Sequence, residues 1–248
     1  MKGISAIIIA RDEQDNIGRA IESLEGFGEV LVLDSGSRDR TPEIAQSLGA
    51  KVVRTDWPGY AAQRRRALGL AAMPWVLFLD ADELLDAELR VALYKQNLAG
   101  PARGYFIRRR NYFLGRQIRH ARWGNDWQMR LVRRDSASVP QVDIHEGIVV
   151  NGTTARLDRG AIEHYTVPSL YRYLEKMNAY TTLEAGQKLS QGRRFSWGRL
   201  LWEPMAEFWK LFVVLQGWRE GMRGLAISLL SALGRFVVTV KMREAGRG

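Results

Sequence analysis

The stretch Trp75-Val76-Leu77-Phe78-Leu79-Asp80-Ala81-Asp82-Glu83 decides the fold. Five apolar residues in a row read as a strand buried on both faces, the pattern of a parallel sheet covered by helices. The run then stops in a cluster of acids. Carboxylates at the end of a buried strand are costly unless a positive group meets them. Open α/β sheets bind ligands at that same edge, beyond the carboxyl ends of their strands. Asp80 and Asp82, with one residue between them, suit a divalent cation that also holds a diphosphate, because Mg²⁺ is usually bound by one or two carboxylates plus phosphate oxygens. The plainer alternative is that Asp82 or Glu83 caps the helix that follows.

Upstream, the pattern repeats. Apolar runs at 5–9, 29–33 and 51–54 predict strands, and apolar residues at helical spacing predict helices over 16–24, 42–48 and 59–72. Thr41-Pro42 reads as an N-cap followed by proline at the first helical position. Strand and helix alternating in this way mean βαβ units with right-handed crossovers. There is no Gly-x-Gly-x-x-Gly fingerprint and no Gly-Lys-Ser/Thr, so any phosphate chemistry must use metal and arginine rather than a glycine cradle.

After a helix near 86–97 the character changes. Residues 104–113 and 116–120 read as strands with cationic faces, followed by strands at 128–133, 141–146, 147–150 and 161–165. The expected fold class is therefore α/β: a mixed, mainly parallel, Rossmann-like sheet flanked by helices. From residue 168 the chain turns helical, over 170–189, 200–216 and 222–242, with a break at 217–221. This divides the chain into a catalytic domain, 1–166, and a C-terminal amphipathic helical segment, 167–248.

Composition narrows the function. The chain has 248 residues, 46% of them hydrophobic, and no cysteine. Disulfides and cysteine-based zinc sites are excluded, and a reducing cytosolic setting fits. No signal peptide is expected, because Arg11 and Asp12 cut the first apolar run short. No run of 18 uncharged apolar residues occurs, so no ordinary spanning helix is expected. The net charge of +10 is uneven: residues 103–134 carry 10 basic and 1 acidic residue, and 167–248 carry 13 and 6. That pattern suggests a near-neutral catalytic half and a basic face that meets something anionic. In the last segment the cations lie beside Trp197, Trp202, Trp209 and Trp218, the make-up of helices lying on an anionic membrane surface. No nucleic-acid motif is present and no nucleic-acid partner is expected.

Four features stand in register: a strand then Ala10-Arg11-Asp12-Glu13; a strand then Asp34 to Thr41; Gly59-Tyr60-Ala61-Ala62-Gln63-Arg64 with Ala67; and a strand then Asp80-Ala81-Asp82. With His145-Glu146 they resemble the family 2 inverting glycosyltransferases of GT-A fold, and most of all the bacterial branch that adds sugars to the lipopolysaccharide inner core, the β-1,4-glucosyltransferase type. The nucleotide-binding motifs cover about the first 85 residues, and the likeness weakens beyond them. The resemblance implies that Ala10, Arg11, Glu13 and Asp34 hold base and ribose, that Gln63 and Arg64 close over the nucleotide, that Asp80 and Ala81 meet the ribose, and that Asp82 binds the metal, Mg²⁺ or Mn²⁺. The family's usual Tyr-Asn-Glu is Arg11-Asp12-Glu13 here, so a guanidinium plane replaces an aromatic ring. For Asp34 the alternative is a turn residue bonded to its own backbone.

Inverting transfer needs a base for the acceptor hydroxyl and a means of neutralising the leaving diphosphate. The family places its base in an acidic segment later in the chain. That favours Glu146, with Asp143 as runner-up and His145 orienting the base or touching the acceptor. His164 is a candidate to complete the metal site or touch the diphosphate, or to be a satisfied structural histidine. Arg130 is a candidate for diphosphate or acceptor phosphate. The implied partners are a nucleoside-diphosphate sugar, UDP-glucose by default, and a glycolipid or inner-core acceptor, with the enzyme peripheral on the inner face of the cytoplasmic membrane. The competing readings are a polyprenyl-phosphate glycosyltransferase and a non-enzymatic nucleic-acid- or membrane-binding protein.

Overall fold

The computed structural model describes residues 1–140, 147–167 and 169–246. They group into two compact units, residues 1–109 with 127–164, and residues 110–126 with 165–248.

The first unit is built on the expected alternation: β1 (Ile4–Ala10), α1 (Ile17–Glu22), β2 (Glu29–Asp34), α2 (Thr41–Ser47), β3 (Lys51–Arg54), α3 (Tyr60–Leu70) and β4 (Trp75–Asp80). There follow β5 (Glu83–Leu85), α4 (Ala87–Lys95), β6 (Gly104–Phe113), β7 (Arg116–Gln117), β8 (Asp126–Arg133), β9 (Ala137–Ser138), β10 (Val149–Val150) and β11 (Thr154–Val167). The main sheet runs in the order β3-β2-β1-β4-β8-β6-β11-β5. The first four strands are parallel, β8 pairs antiparallel with β4, and β5 pairs antiparallel with β11. Alternate residues feed two cores, as a sheet covered on both faces requires. Ile4, Ala6 and Ile8 of β1 join Trp75, Leu77 and Leu79 of β4 on one face, together with Ile17, Ile21 and Leu89 of the helices. Ile7, Val76 and Phe78 pack on the other face with Ala67 and Ala71.

Two local readings change. Glu83 caps no helix: it enters β5, and Asp86 is the N-cap of α4, accepting from Leu89 N at 2.6 Å. Asp86 also accepts from Ala161 N, which ties the helix to β11. Thr41 lies inside the first turn of α2, and its hydroxyl serves another loop, accepting from Glu13 N at 2.8 Å and donating to Asp39. Asp39 lies below the ordinary aspartate value: burial acts to raise it, and the Thr41 hydroxyl and nearby backbone N–H groups outweigh that.

The second unit holds α5 (Leu170–Ser190), α6 (Trp197–Trp209) and α7 (Met222–Ala245), with the hairpin end where β7 pairs with β6. Phe113, Ile118 and Ile227 form its core with Trp123 and Tyr173. The helix expected over 200–216 is α6 followed by a π-helical turn, Lys210–Val214, and the expected break is a 3₁₀ turn at Gly217–Glu220. The chain passes so close to itself here that a Cβ on Gly224 would lie 1.8 Å from the Gly217 carbonyl oxygen. Gly224→Ala is therefore expected to lower stability by about 3 kcal/mol. Gly234→Ala in the same helix, where the nearest atom is 3.8 Å away, should raise it by about 0.5–1 kcal/mol. Urea unfolding of the two variants checks the contrast.

Glu220 ties the same turn to the hairpin. One carboxylate oxygen accepts from Arg119 N and His120 N, both at 2.9 Å, and lies 2.6 Å from His120 Nδ1. Burial acts to raise this carboxyl, yet the His120 ring and the two N–H groups bring it below the ordinary glutamate value. Its contribution is thus present above the unfolded value of about 4.3 and is lost as pH falls below it. Glu220→Gln should flatten the acid limb of the pH–stability curve, and Glu220→Ala should cost about 2–3 kcal/mol at pH 7 by orphaning both backbone donors. Thermal melts across pH 3–8 measure both.

The expectation of no spanning helix is corrected in part. α7 is long and apolar enough to cross a membrane by length and composition, with a mean hydropathy of 1.6 over its most apolar window. The uncharged-run criterion missed it because Arg235 and Lys241 interrupt the run. Both charges are engaged by α5: Arg235 donates to Glu184 at 2.6 Å, and Lys241 donates to Asn178, Thr181 and Thr182.

Candidate active site

The parallel register aligns the strand ends. Ala10 lies opposite Asp34, Ile9 opposite Asp80, and Asp34 opposite Arg54. Ala10, Asp34 and Asp80 therefore share one sheet edge, followed by the loops that carry Arg11, Glu13 and Ala81. The loops after β1 and β2 are laced together: Asp12 N donates to Ser37 Oγ, Arg38 N to Asp12 Oδ1, and Gln14 N to Asp39 Oδ2. Asp12 adopts a positive φ of 54° to do so. Asp34 is buried and accepts from Ser37 N at 3.2 Å, so the turn role considered for it is present.

Gln63 is wholly buried, and its Nε2 donates to Ser35 Oγ, Thr55 Oγ1 and the Asp56 carbonyl. Through Nε2 it holds the loops after β2 and β3 in place. Arg64, one residue on, lies 3.9 Å from Asp80. Arg65 donates to the carbonyls of Val139 and Pro140, and Arg66 to Asp56.

The acids at the end of β4 are met by arginines from two strands, β8 and β6, and from helix α3. Arg130 of β8 donates from Nη2 to Asp80 at 3.0 Å and to Glu83 at 2.6 Å. Arg109 of β6 reaches Glu83 at 3.2 Å, and Asp80 N donates to the other Glu83 oxygen at 2.9 Å. Arg130 is only 5% exposed. The sequence offered it to a diphosphate or acceptor phosphate; next to a buried strand end its first task is to compensate carboxylates. Burial works to raise Asp80, but the guanidiniums of Arg130 and Arg64 hold it well below the carboxylate range. Burial pushes Glu83 up, and the Asp80 charge adds to this, against Arg130. Glu83 is the residue the sequence reading missed. Its signal was the continuation Glu83-Leu84-Leu85, apolar enough for a strand that buries its first residue.

Asp82, two residues after Asp80, meets a histidine. His164 of β11, in register with Glu83, brings Nε2 to 3.5 Å from Asp82 Oδ2. The two candidate metal residues are thus adjacent. Among the described residues no group of three or more His, Asp or Glu side chains gathers to hold a metal alone. One carboxylate and one imidazole are nevertheless a donor pair that Mn²⁺ or Mg²⁺ accepts when phosphate oxygens supply the remainder, so the residues present fit the expected cation. Asp143, His145 and Glu146 lie outside the described residues.

Comparison with known proteins accords with this geometry. The profile described as glycosyl transferase family 2 matches residues 5–156. A lipopolysaccharide core biosynthesis glycosyltransferase, LpsC of Rhizobium meliloti (strain 1021), is 31% identical over 97% of this chain and 92% of its own length. An uncharacterized glycosyltransferase of Rickettsia typhi is 31% identical over 98% of this chain and 88% of its own. Among solved structures, residues 1–349 of S. aureus TarS superpose with a TM-score of 0.50 at 16% identity, covering 98% of this chain and 91% of that one. That likeness concerns the fold, and the GT-A expectation holds.

Proposed function

This chain belongs to glycosyl transferase family 2, and we propose that it transfers a hexose, with inversion, from a nucleoside-diphosphate sugar to a lipopolysaccharide-core or related membrane glycolipid. UDP-glucose is the first donor to try. The observation that carries this reading is the shared edge, where three parallel strands end in Ala10, Asp34 and Asp80 and the Asp82–His164 pair follows directly. The similarity to a core-biosynthesis enzyme along nearly the whole chain supports the acceptor class.

The roles follow from the chemistry. Asp80, kept ionised by two arginines, accepts hydrogen bonds from ribose hydroxyls. Asp34 and the Arg11–Glu13 loop take the base, with the Arg11 plane as a stacking surface. Asp82 and His164 would hold Mg²⁺ or Mn²⁺, which when bound neutralises charge on the departing diphosphate. Glu146 takes the proton of the acceptor hydroxyl as general base, with Asp143 as the alternative and His145 beside it. The exposed tryptophans of α6 seat the second unit on the anionic inner surface of the cytoplasmic membrane.

A lipid-phosphate acceptor is the second reading, favoured by the length and apolarity of α7. One assay separates the two. Radiolabelled UDP-glucose, UDP-galactose and GDP-mannose are incubated with the protein, Mn²⁺, and either truncated lipopolysaccharide or polyprenyl phosphate. Acid-stable label in lipopolysaccharide is expected. Acid-labile label in polyprenyl phosphate favours the second reading, and transfer from no donor to either acceptor overturns both.

A further inference from the structure

The second unit carries a cavity of about 670 Å³ between the loop after α5 and the end of α7. Arg193, Arg194 and Arg243 line it, with Leu189, Phe195 and Met242 as its apolar part, and no aspartate or glutamate among its lining residues. Arg243 is fixed by stacking, its guanidinium carbon 5.1 Å from the centre of the Phe195 ring and 4.8 Å from that of Trp197. Phe195 and Trp197 meet edge to face. An arginine resting against two rings has less side-chain freedom left to lose on binding, and its fork matches phosphate oxygens. Arg193 and Arg194 are exposed beside it. Glu184, in the last two turns of α5, is taken by Lys188 and Arg235.

Trp197 also starts an apolar stripe. Trp197, Leu201, Trp202, Met205 and Trp209 recur at helical spacing along α6, and each is more than 60% exposed. The cavity thus opens where that stripe begins. A soluble phosphate would require only the arginines. Arginines joined through a shared tryptophan to a solvent-facing aromatic stripe suit a phosphate carried by a lipid, whose chains lie where the stripe enters the bilayer.

We propose that Arg193, Arg194 and Arg243 form a headgroup site for an anionic phospholipid of the membrane on which α6 lies. The site deepens the membrane part of the proposed function and is independent of glycosyl transfer. It makes retention selective for lipid phosphate rather than for apolar surface alone.

The test is sedimentation of the full chain with vesicles of phosphatidylcholine, and of phosphatidylcholine mixed with phosphatidic acid. The wild type is expected to bind both and to gain affinity from the acidic lipid. Each arginine removed should weaken that gain by about fivefold, so Arg193→Gln with Arg194→Gln loses about 25-fold while binding to neutral vesicles stays unchanged. Arg243→Gln provides an independent loss, and Arg54→Gln in the first unit controls for net charge. Circular dichroism melts show whether each variant is folded. Trp202→Ser with Trp209→Ser should weaken binding to both vesicle types, which reports on the membrane reading separately. The proposal is overturned if the double arginine variant keeps the full acidic-lipid gain, if millimolar inorganic phosphate alone abolishes that gain, or if no vesicle is bound. The last outcome removes the membrane reading as well; the first two leave it standing.

Discussion

Arg130→Met is expected to destabilise the first unit by about 3–5 kcal/mol, the usual cost of stranding a buried charge. Glu83 is 1% exposed and is surrounded by donors: Arg130, Arg109 and the Asp80 N–H. Without Arg130, burial already pushes Glu83 toward its neutral form, so it must either take up a proton, losing an acceptor, or remain charged in an apolar surround. Asp80 loses its 3.0 Å partner in the same step. Arg130→Met combined with Glu83→Gln should recover a large part of the loss, because removing both halves of a buried pair costs far less than removing one. Arg108→Met, on the exposed side of the same cationic patch, should stay within about 0.5 kcal/mol of wild type. Urea denaturation of the four proteins reads this directly. An Arg130→Met variant as stable as wild type means that the network is not compensating burial.

Asp82→Asn should leave stability nearly unchanged and lower kcat by about 10³-fold. Asp82 meets His164, whose Nε2 lies 3.5 Å from Oδ2. Asparagine keeps the volume and removes the charge a divalent cation needs. Cation stabilisation of a leaving group contributes several kcal/mol, and about 4 kcal/mol is 10³-fold in rate. His164→Ala should act more mildly, raising the Mn²⁺ concentration for half-maximal rate more than it lowers kcat at saturating metal. Initial rates measured over a range of Mn²⁺ concentrations separate the two. A fully active Asp82→Asn enzyme would move the metal, if one is used, elsewhere.

What could be read from sequence was the local part. β1, β2 and β4 are apolar runs that end in polar groups, and their end points were legible because burial on both faces leaves no ambiguity of period. That Ala10, Asp34 and Asp80 belong to one site was implied by the family resemblance, and the parallel register brings them to one edge. What escaped were pairings set by strands distant in sequence. Glu83 looked like a turn or a cap because β5 has only three residues and exists through its pairing with β11. Arg130 looked available because the strand that presents it beside Asp80 is about 50 residues away. Gln63 stood in a nucleotide-binding motif, and its Nε2 also braces the loops around Ser35 and Thr55. In the second unit, Gly217 and Gly224 gave no sign of their close approach, since seven residues along a chain say nothing about a turn folding back on its own helix. Arg193, Arg194 and Arg243 likewise meet only because α5 and α7 end together.

A nucleotide site at the edge formed by β1, β2 and β4 is central to the proposed activity. Isothermal titration calorimetry with UDP, GDP, CDP and TDP, each with and without Mn²⁺, addresses it most simply. One nucleotide, UDP in the first instance, should bind in the micromolar range only when metal is present, and Asp82→Asn should abolish that binding. A folded protein that binds none of the four, with Mn²⁺ in excess, would show that this edge is not a donor site.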